Sequence, residues 1–429
     1  MLDRTTPPRI QPATFFFRKP TERVMHNGIS LSIIKAPGLG AVRIDFVFSA
    51  GQWHQVHKLQ ALFACRMLRE GCRGYTAEKF AERLDYYGAW LELSVAMNRT
   101  FVTVYTLNKH FAPIIELVQC MITEPTYSEE QFSTVCTNNK AQFMINMQKG
   151  DVLAMRALRH SIYGDTHPCG MNVTAEDYDA LQVSDIIDYY HCHYGSRTCR
   201  IYLSGDVDET MPTYIESLFG NKEWGNGSRD KNRKKEDEFP HPNNSDAKTQ
   251  YLRLEGAVQD SIRMGCLLMD VNDPDYLSMR VLTTILGGYF GSRLMKNVRE
   301  EKGYTYHIGS DLITNTPQVM LMIHCEAQAG KADEVISEIH REMLRLHTEP
   351  ISDKELLMVH NYMIGEICRN YESAFSLSDA YIFMEHLGLP PTHLEQTINA
   401  IHTTDAPHLQ QLAQRYLRPE MLHTVVVKT

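Results

Sequence analysis

Residues 287–306 read GGYFGSRLMKNVREEKGYTY, and the way this stretch is framed decides the fold. Its glycine-rich turn opens a helical run, Ser292 to Glu301, which Gly303 stops. Upstream, Tyr276 to Leu286 has helical periodicity. Downstream, Tyr304–Leu312 and Val319–Cys325 read as strands, and Lys331 to Leu346 as an amphipathic helix. Thr348-Glu349-Pro350 follows, and Ser352, Asp353, Lys354 and Glu355 form the capped start of a further helix.

The first part of the chain repeats this order. A helix over Leu59–Arg69 leads to a second over Ala77–Tyr87, stopped by Gly88. Strands Trp90–Val95 and Phe101–Thr106 turn at Met97-Asn98-Arg99, and a helix spans Phe111–Ile122. The same landmark returns as Thr123-Glu124-Pro125, with Ser128-Glu129-Glu130 opening the next helix. Each half also opens and closes on strands: Ile29–Ile34, Val42–Phe48 and Cys199–Ser204, then Tyr251–Glu255, Ile262–Met269 and Leu422–Val427. Recurrence of a whole element order is the mark of an internal duplication. Hairpins mixed with helical connections predict two α+β domains, each a mainly antiparallel sheet packed with helices. The predicted boundaries are 1–220 and 249–429, joined by an exposed linker at 221–248 that is rich in Asn, Gly, Pro and charge.

Composition excludes several function classes. A net charge of -9 argues against nucleic acid as the main partner. The one dense basic run, Arg229–Lys235, is followed at once by Glu236, Asp237 and Glu238 and reads as solvated linker. No apolar run reaches the ~18 residues of a membrane span. The N-terminus lacks the basic start and apolar stretch of a secretory signal. Ten cysteines without CxxC spacing, several in apolar segments, read as reduced, buried thiols of a cytoplasmic protein.

The motif at 287–306, together with Asn27-Gly28-Ile29, Ala50-Gly51 and Ala81–Leu93, resembles the pitrilysin/insulinase peptidase family, which includes the mitochondrial processing peptidases. The resemblance covers about residues 20–429 and implies two homologous domains facing each other like a clamshell around a peptide chamber. Active members carry H-x-x-E-H on the first helix after the opening strands. Two imidazoles one turn apart hold zinc, the Glu between them takes the proton of the metal-bound water, and a later Glu completes the site. Aligned on that motif, this sequence has Leu62 and Arg66 at the His positions and Cys65 at the base position. The later Glu falls near Gln142 or Phe143, and no acidic residue occurs between Glu130 and Asp151. Leucine offers zinc no ligand and a guanidinium repels it, so no catalytic or metal residue of its own is expected.

Three other groups of residues offer metal-binding side chains. His54 and His57, and the set His191, Cys192 and His193, lack an obvious carboxylate partner, and Glu385-His386 is a lone pair on a helix; all read as structural. Cys65 as a nucleophile would need a lowered thiol pKa, and Arg66 points away from it by about 100° on a helix. The glycines at 287–291 lack the GK[ST] ending of a phosphate loop and read as a flexible chamber-edge turn. What the resemblance retains is substrate handling. Arg299 and Tyr306 match the family pair that holds the peptide carbonyl, and Trp90–Val95 matches the strand on which substrate is laid. The competing reading pairs Arg299 with nearby carboxylates and buries Tyr306 in a core strand. The expected function is a non-catalytic, peptide-binding subunit of a heterodimeric zinc metallopeptidase. It would bind no cofactor itself, and zinc would sit in a homologous partner subunit carrying H-x-x-E-H. Neither nucleic acid nor membrane is an expected partner. The alternatives are a structural scaffold of the same fold without peptide binding, or an active metallopeptidase using an unrecognised metal site.

Overall fold

The computed structural model describes residues 16–225 and 248–428. The N-terminal stretch and nearly all of the expected linker, including its basic run, lie outside the described residues. In chain order the first half contains β1 (Thr21–Val24), β2 (Ser30–Lys35), β3 (Ala41–Phe48), α1 (Gln60–Arg66), the short pair β4 (Gly71–Cys72) and β5 (Tyr75–Thr76), α2 (Ala77–Tyr87), β6 (Trp90–Val95) and β7 (Thr100–Leu107). Helices α3 (Phe111–Thr123), α4 (Glu129–Asn146), α5 (Gly150–Tyr163), α6 (Ala175–Ala180) and α7 (Val183–His193) precede β8 (Cys199–Gly205) and α8 (Thr210–Ile215). The second half contains β9 (Thr249–Arg253), β10 (Gln259–Asp270), α9 (Tyr276–Thr283), β11 (Thr305–Ile313) and β12 (Gln318–Gln328). It ends with α10 (Ala332–Thr348), α11 (Asp353–Asn370), α12 (Ala374–His386), α13 (His393–Thr403), α14 (Ala406–Tyr416) and β13 (His423–Lys428).

The two main sheets share one topology. The first runs β1-β2-β8-β3-β7-β6 and the second β11-β12-β10-β13-β9. Without β1, each strand of the first has a counterpart in the second. Even the parallel pairs correspond, β2 with β8 and β9 with β13, while the other neighbours are antiparallel. This is the α+β architecture the duplicated element order predicts.

Local chemistry fixes the element ends. Thr76 caps α2 by accepting from the Lys79 N–H at 3.3 Å, and Gly88 ends it in the left-handed conformation at φ 62°. Ser352 caps α11 by accepting from Glu355 N–H at 3.2 Å. Its counterpart Ser128 stands at the cap of α4 without a side-chain bond.

The halves are also interlocked. On α5, Ala154, Leu158 and Ile162 recur every fourth residue and form one apolar stripe. That stripe packs on the second sheet, against Met320, Val425 and Val427. Gly265 on β10 lies beneath the stripe, and glycine is required there by the sheet itself, since a Cβ would lie 2.6 Å from Leu321 O. In return, α12 sets Ile382 against Val47 and Tyr202 of the first sheet. Polar contacts follow the same exchange. The buried Arg43 guanidinium donates to Asp45 at 2.8 Å, to the Phe375 carbonyl at 3.2 Å and to Asp379. Glu385 accepts from Tyr202 and pairs with Arg200. Each sheet is therefore covered by its own helices on one face and by a helix of the other half on the opposite face.

Candidate functional site

Helix α1 carries Leu62, Cys65 and Arg66, the positions that the resemblance aligns with the zinc motif, and the chain fixes it closely. Gly51 is obligatory, because a Cβ there would lie 2.3 Å from the backbone of Asn98 and Arg99. Gln52 and Trp53 donate to the carbonyls of Ala96 and Met97, which pins the segment before α1 onto the β6–β7 turn. The buried Gln60 side chain accepts from Val56 and His57 N–H, each at 2.9 Å, and donates to the Asp185 carbonyl at 3.1 Å. The helix then abuts β6, with Cys65 Sγ 4.0 Å from the Ser94 carbonyl.

On this well-placed helix the side chains do not fit zinc. Leu62 packs partly buried on the first core. Arg66 is half-buried. Cys65 is 1% exposed, and burial pushes its thiol up to about 12 despite the neighbouring Arg66. It is therefore protonated at neutral pH, neither a ligand nor a nucleophile. Gln142 is exposed on α4, its amide directed to Asn146 Oδ1 at 3.4 Å. Among the described residues, no group of three or more His, Cys, Asp or Glu side chains is placed to hold a metal ion.

The histidines distant in sequence do partly converge. His54 stacks on His193 with ring centroids 5.5 Å apart, and His193 packs on Tyr189 at 4.4 Å. His57 is exposed, and the His191 ring lies on Tyr190. Glu385 serves the contact between halves, and burial pushes the adjacent His386 down to about 4. All ten cysteines are free thiols, with Cys65, Cys72 and Cys266 among the buried ones.

The second-half motif is laid out differently from a core element. Arg299, in the π-helical stretch Met295–Glu301, is half-buried and makes no ion pair among the described residues. Its guanidinium carbon lies 4.6 Å from the Phe290 ring centroid and 4.9 Å from that of Tyr306. Both rings are outward, Phe290 at 63% and Tyr306 at 81% exposure. The reading that pairs Arg299 with carboxylates and buries Tyr306 is thus overturned. The reason is local: register along β11 and β12 shifts between Thr305 and Ile308, so Tyr306 and His307 are both outward instead of alternating. Cation–π contact with the two rings uses none of the guanidinium N–H groups as hydrogen-bond donors, which leaves them for a carbonyl or carboxylate. Phe290 is the member the sequence reading missed; its place in the glycine-rich turn was the available signal.

The glycines of that turn serve packing. A Cβ at Gly287 would lie 2.6 Å from Ser310 N on β11, and one at Gly291 would lie 2.8 Å from the Tyr289 ring. Arg293 pairs with Glu355 through two bonds of 3.0 Å, tying the turn to α11. Both candidate regions border sheet edges: β6 ends the first sheet and β11 the second. Between the halves lies a cavity of about 530 Å³, lined by Val95, Met97, Arg159, Asp379, Ile382 and His386 among others. No described helix is long and apolar enough to cross a membrane.

Comparison with known proteins agrees with this geometry. Residues 180–362 match the family model described as Peptidase M16 inactive domain. An uncharacterized zinc protease, YmxG of Bacillus subtilis, is 21% identical over 393 residues, covering 91% of this chain and 93% of that protein. The non-peptidase homolog YmxG of Helicobacter pylori is 22% identical over 353 residues, 80% of this chain and 78% of that one. The solved peptidase M16 inactive domain from Pseudomonas fluorescens superposes with a TM-score of 0.83 at 20% identity, covering 95% and 98% of the two chains. A Helicobacter pylori protease gives 0.86 at 14%, covering 96% and 100%. Over residues 180–362 the chain matches the peptidase M16 inactive domain, and along most of its length it is similar to the YmxG proteins and to a solved M16 inactive-domain protein, with Leu62, Cys65 and Arg66 at the positions that the resemblance aligns with H-x-x-E-H.

Proposed function

We propose that this chain is the non-catalytic, peptide-binding subunit of a heterodimeric M16-type zinc metallopeptidase, with Arg299 and Tyr306 holding a substrate carbonyl for a homologous subunit that carries H-x-x-E-H. The observation that carries the reading is the Arg299 guanidinium held between two outward aromatic rings without a carboxylate partner. A protein that used Arg299 only for stability would neutralise it. An arginine kept uncompensated and half-exposed is poised for an external acceptor. The phenol of Tyr306 supplies a second donor beside it. Strand β6 adds a backbone surface: it pairs with β7 on one side only, and Trp90 on it is 62% exposed. A peptide extended along that edge would gain main-chain hydrogen bonds. The zinc would belong to the partner, since α1 here cannot bind it, and the complex would act in the cytoplasm.

The test is a peptide-cleavage assay of this chain alone, an H-x-x-E-H subunit alone, and the mixture. Cleavage is expected from the mixture only. Arg299→Ala should lower its rate by ~10²–10³-fold, the loss typical of removing one oxyanion donor. Tyr306→Phe should lower it less. A mixture no faster than the zinc subunit alone, or one indifferent to both substitutions, sinks the proposal and leaves a structural scaffold as the reading.

A further inference from the structure

Across the outward face of the second sheet's edge, two histidines approach each other with a geometry that the Arg299 and Tyr306 reading does not use. His307 lies on β11 and His324 on β12, and their Nε2 atoms are 3.3 Å apart. Two imidazole nitrogens bound ~2.0–2.1 Å from one tetrahedral zinc lie ~3.3–3.4 Å apart, which is this separation. The far nitrogen of His324, Nδ1, faces Asp311 Oδ2 at 3.4 Å. No hydrogen bond joins the two as they stand, and a small approach of Asp311 to this buried nitrogen would give the carboxylate–histidine arrangement which orients a metal-binding imidazole and raises its basicity.

The arrangement is built by the fold. Gly309 is the residue opposite His324 in the ladder. A Cβ at Gly309 would lie 2.8 Å from His324 Cε1 and 2.9 Å from its Nε2, so only glycine lets the ring cross the strand toward His307. The Thr305 hydroxyl bonds the His307 N–H at 3.1 Å and the Glu326 carbonyl at 2.6 Å, which fixes the bulge that turns His307 outward. The cation opposite His324 in the ladder is compensated: Arg263 pairs with Glu326 at 2.7 Å. Burial holds the His324 ring below the usual histidine range, with Arg263 and His307 adding to the effect against Asp311. At neutral pH it is the neutral base that a metal requires.

We propose that His307 and His324, with Asp311 orienting the latter, form a two-imidazole binding site for a borderline divalent transition metal of the zinc class. Imidazole pairs suit zinc, copper and nickel, whereas calcium and magnesium take oxygen ligands. His307 is solvent-exposed, so water completes the coordination sphere. The site stands apart from the degenerate motif on α1.

Titration of the chelator-stripped full-length chain with zinc chloride, followed by calorimetry, tests this without peptide or partner. The result is therefore independent of whether the chain serves a peptidase. One saturable equivalent is expected. His307→Ala should abolish it, and because that residue is exposed the variant keeps the parent melting temperature. His324→Ala should do the same, while Asp311→Asn should weaken binding by ~10–100-fold, the usual loss on removing an orienting carboxylate. His54→Ala should leave the affinity unchanged. Absence of saturable zinc binding overturns the proposal, as does unchanged affinity in His307→Ala or loss of binding in His54→Ala.

Discussion

Replacing Leu158 by alanine tests the exchange of helices between the halves. Leu158 is fully buried, with Ala154 and Ile162 beside it and Met320, Val425 and Val427 of the other half beneath. The substitution removes three carbons, worth about 2.4 kcal/mol at ~0.8 kcal/mol each. Gly265 has no side chain to fill the space from below, so a residual cavity adds to that transfer loss and brings the total to about 3–4 kcal/mol. Such a loss raises the population of the opened state by more than ~10²-fold. Urea unfolding measures the total, and peptide-resolved hydrogen exchange locates it. Because α5 covers the second sheet, amides of Ile262–Gly265 and Val425–Val427 should lose protection together with those of α5 itself. If the variant unfolds its first-half elements while these second-half strands keep parental protection, α5 does not lock the halves and the reasoning fails.

Other outcomes follow from single side chains. Burial raises the Asp45 carboxyl to about 6 in spite of Arg43, so the folded state holds its proton more tightly than the unfolded chain does. The sign is therefore the reverse of the usual carboxylate: stability should rise by about 3 kcal/mol as pH falls from above 6 to below 4. Asp45→Asn should flatten that slope in melts recorded across the range. Gln60→Ala leaves two N–H groups and a carbonyl without their side-chain partner and should cost about 2–4 kcal/mol in denaturant unfolding. Native labelling with iodoacetamide at pH 7.5, read by mass spectrometry, should modify exposed Cys192 and Cys368 while leaving Cys65 untouched, because its thiolate population is lowered by about 10³ and its sulfur is enclosed.

The relatives sharpen what the missing motif means. The matched family model spans residues 180–362 and does not include α1, so the absence of hydrolytic residues is read from α1 itself and not from that match. There the scaffold is intact: Gly51, Gln60 and the β6 contact hold α1 in place, and only the reacting side chains differ. A chain that had merely drifted would have no reason to keep Arg299 uncompensated between two rings. The absence of zinc ligands on α1, beside an Arg299–Tyr306 pair open to an external acceptor, is what supports the proposed partnered role.

Much of this was legible in the amino-acid sequence because it depends on near neighbours. Helix α2 and strand β6 were placed to the residue, since Thr76, Gly88 and period-two alternation act within a few positions. The duplication was readable because both halves repeat their turn landmarks. Three features depended on tertiary structure. The apolar stripe of α5 announces that the helix is buried, but the sheet it covers lies beyond 100 residues away, and periodicity carries no address. The bulge that turns Tyr306 and His307 outward together depends on pairing with β12, so alternation counted along β11 alone misplaces one of them. His307 and His324 meet only because Gly309 lets one ring cross a strand. Local pattern determines which elements form; which faces of distant elements touch is settled by long-range packing, where a single missing Cβ decides the approach.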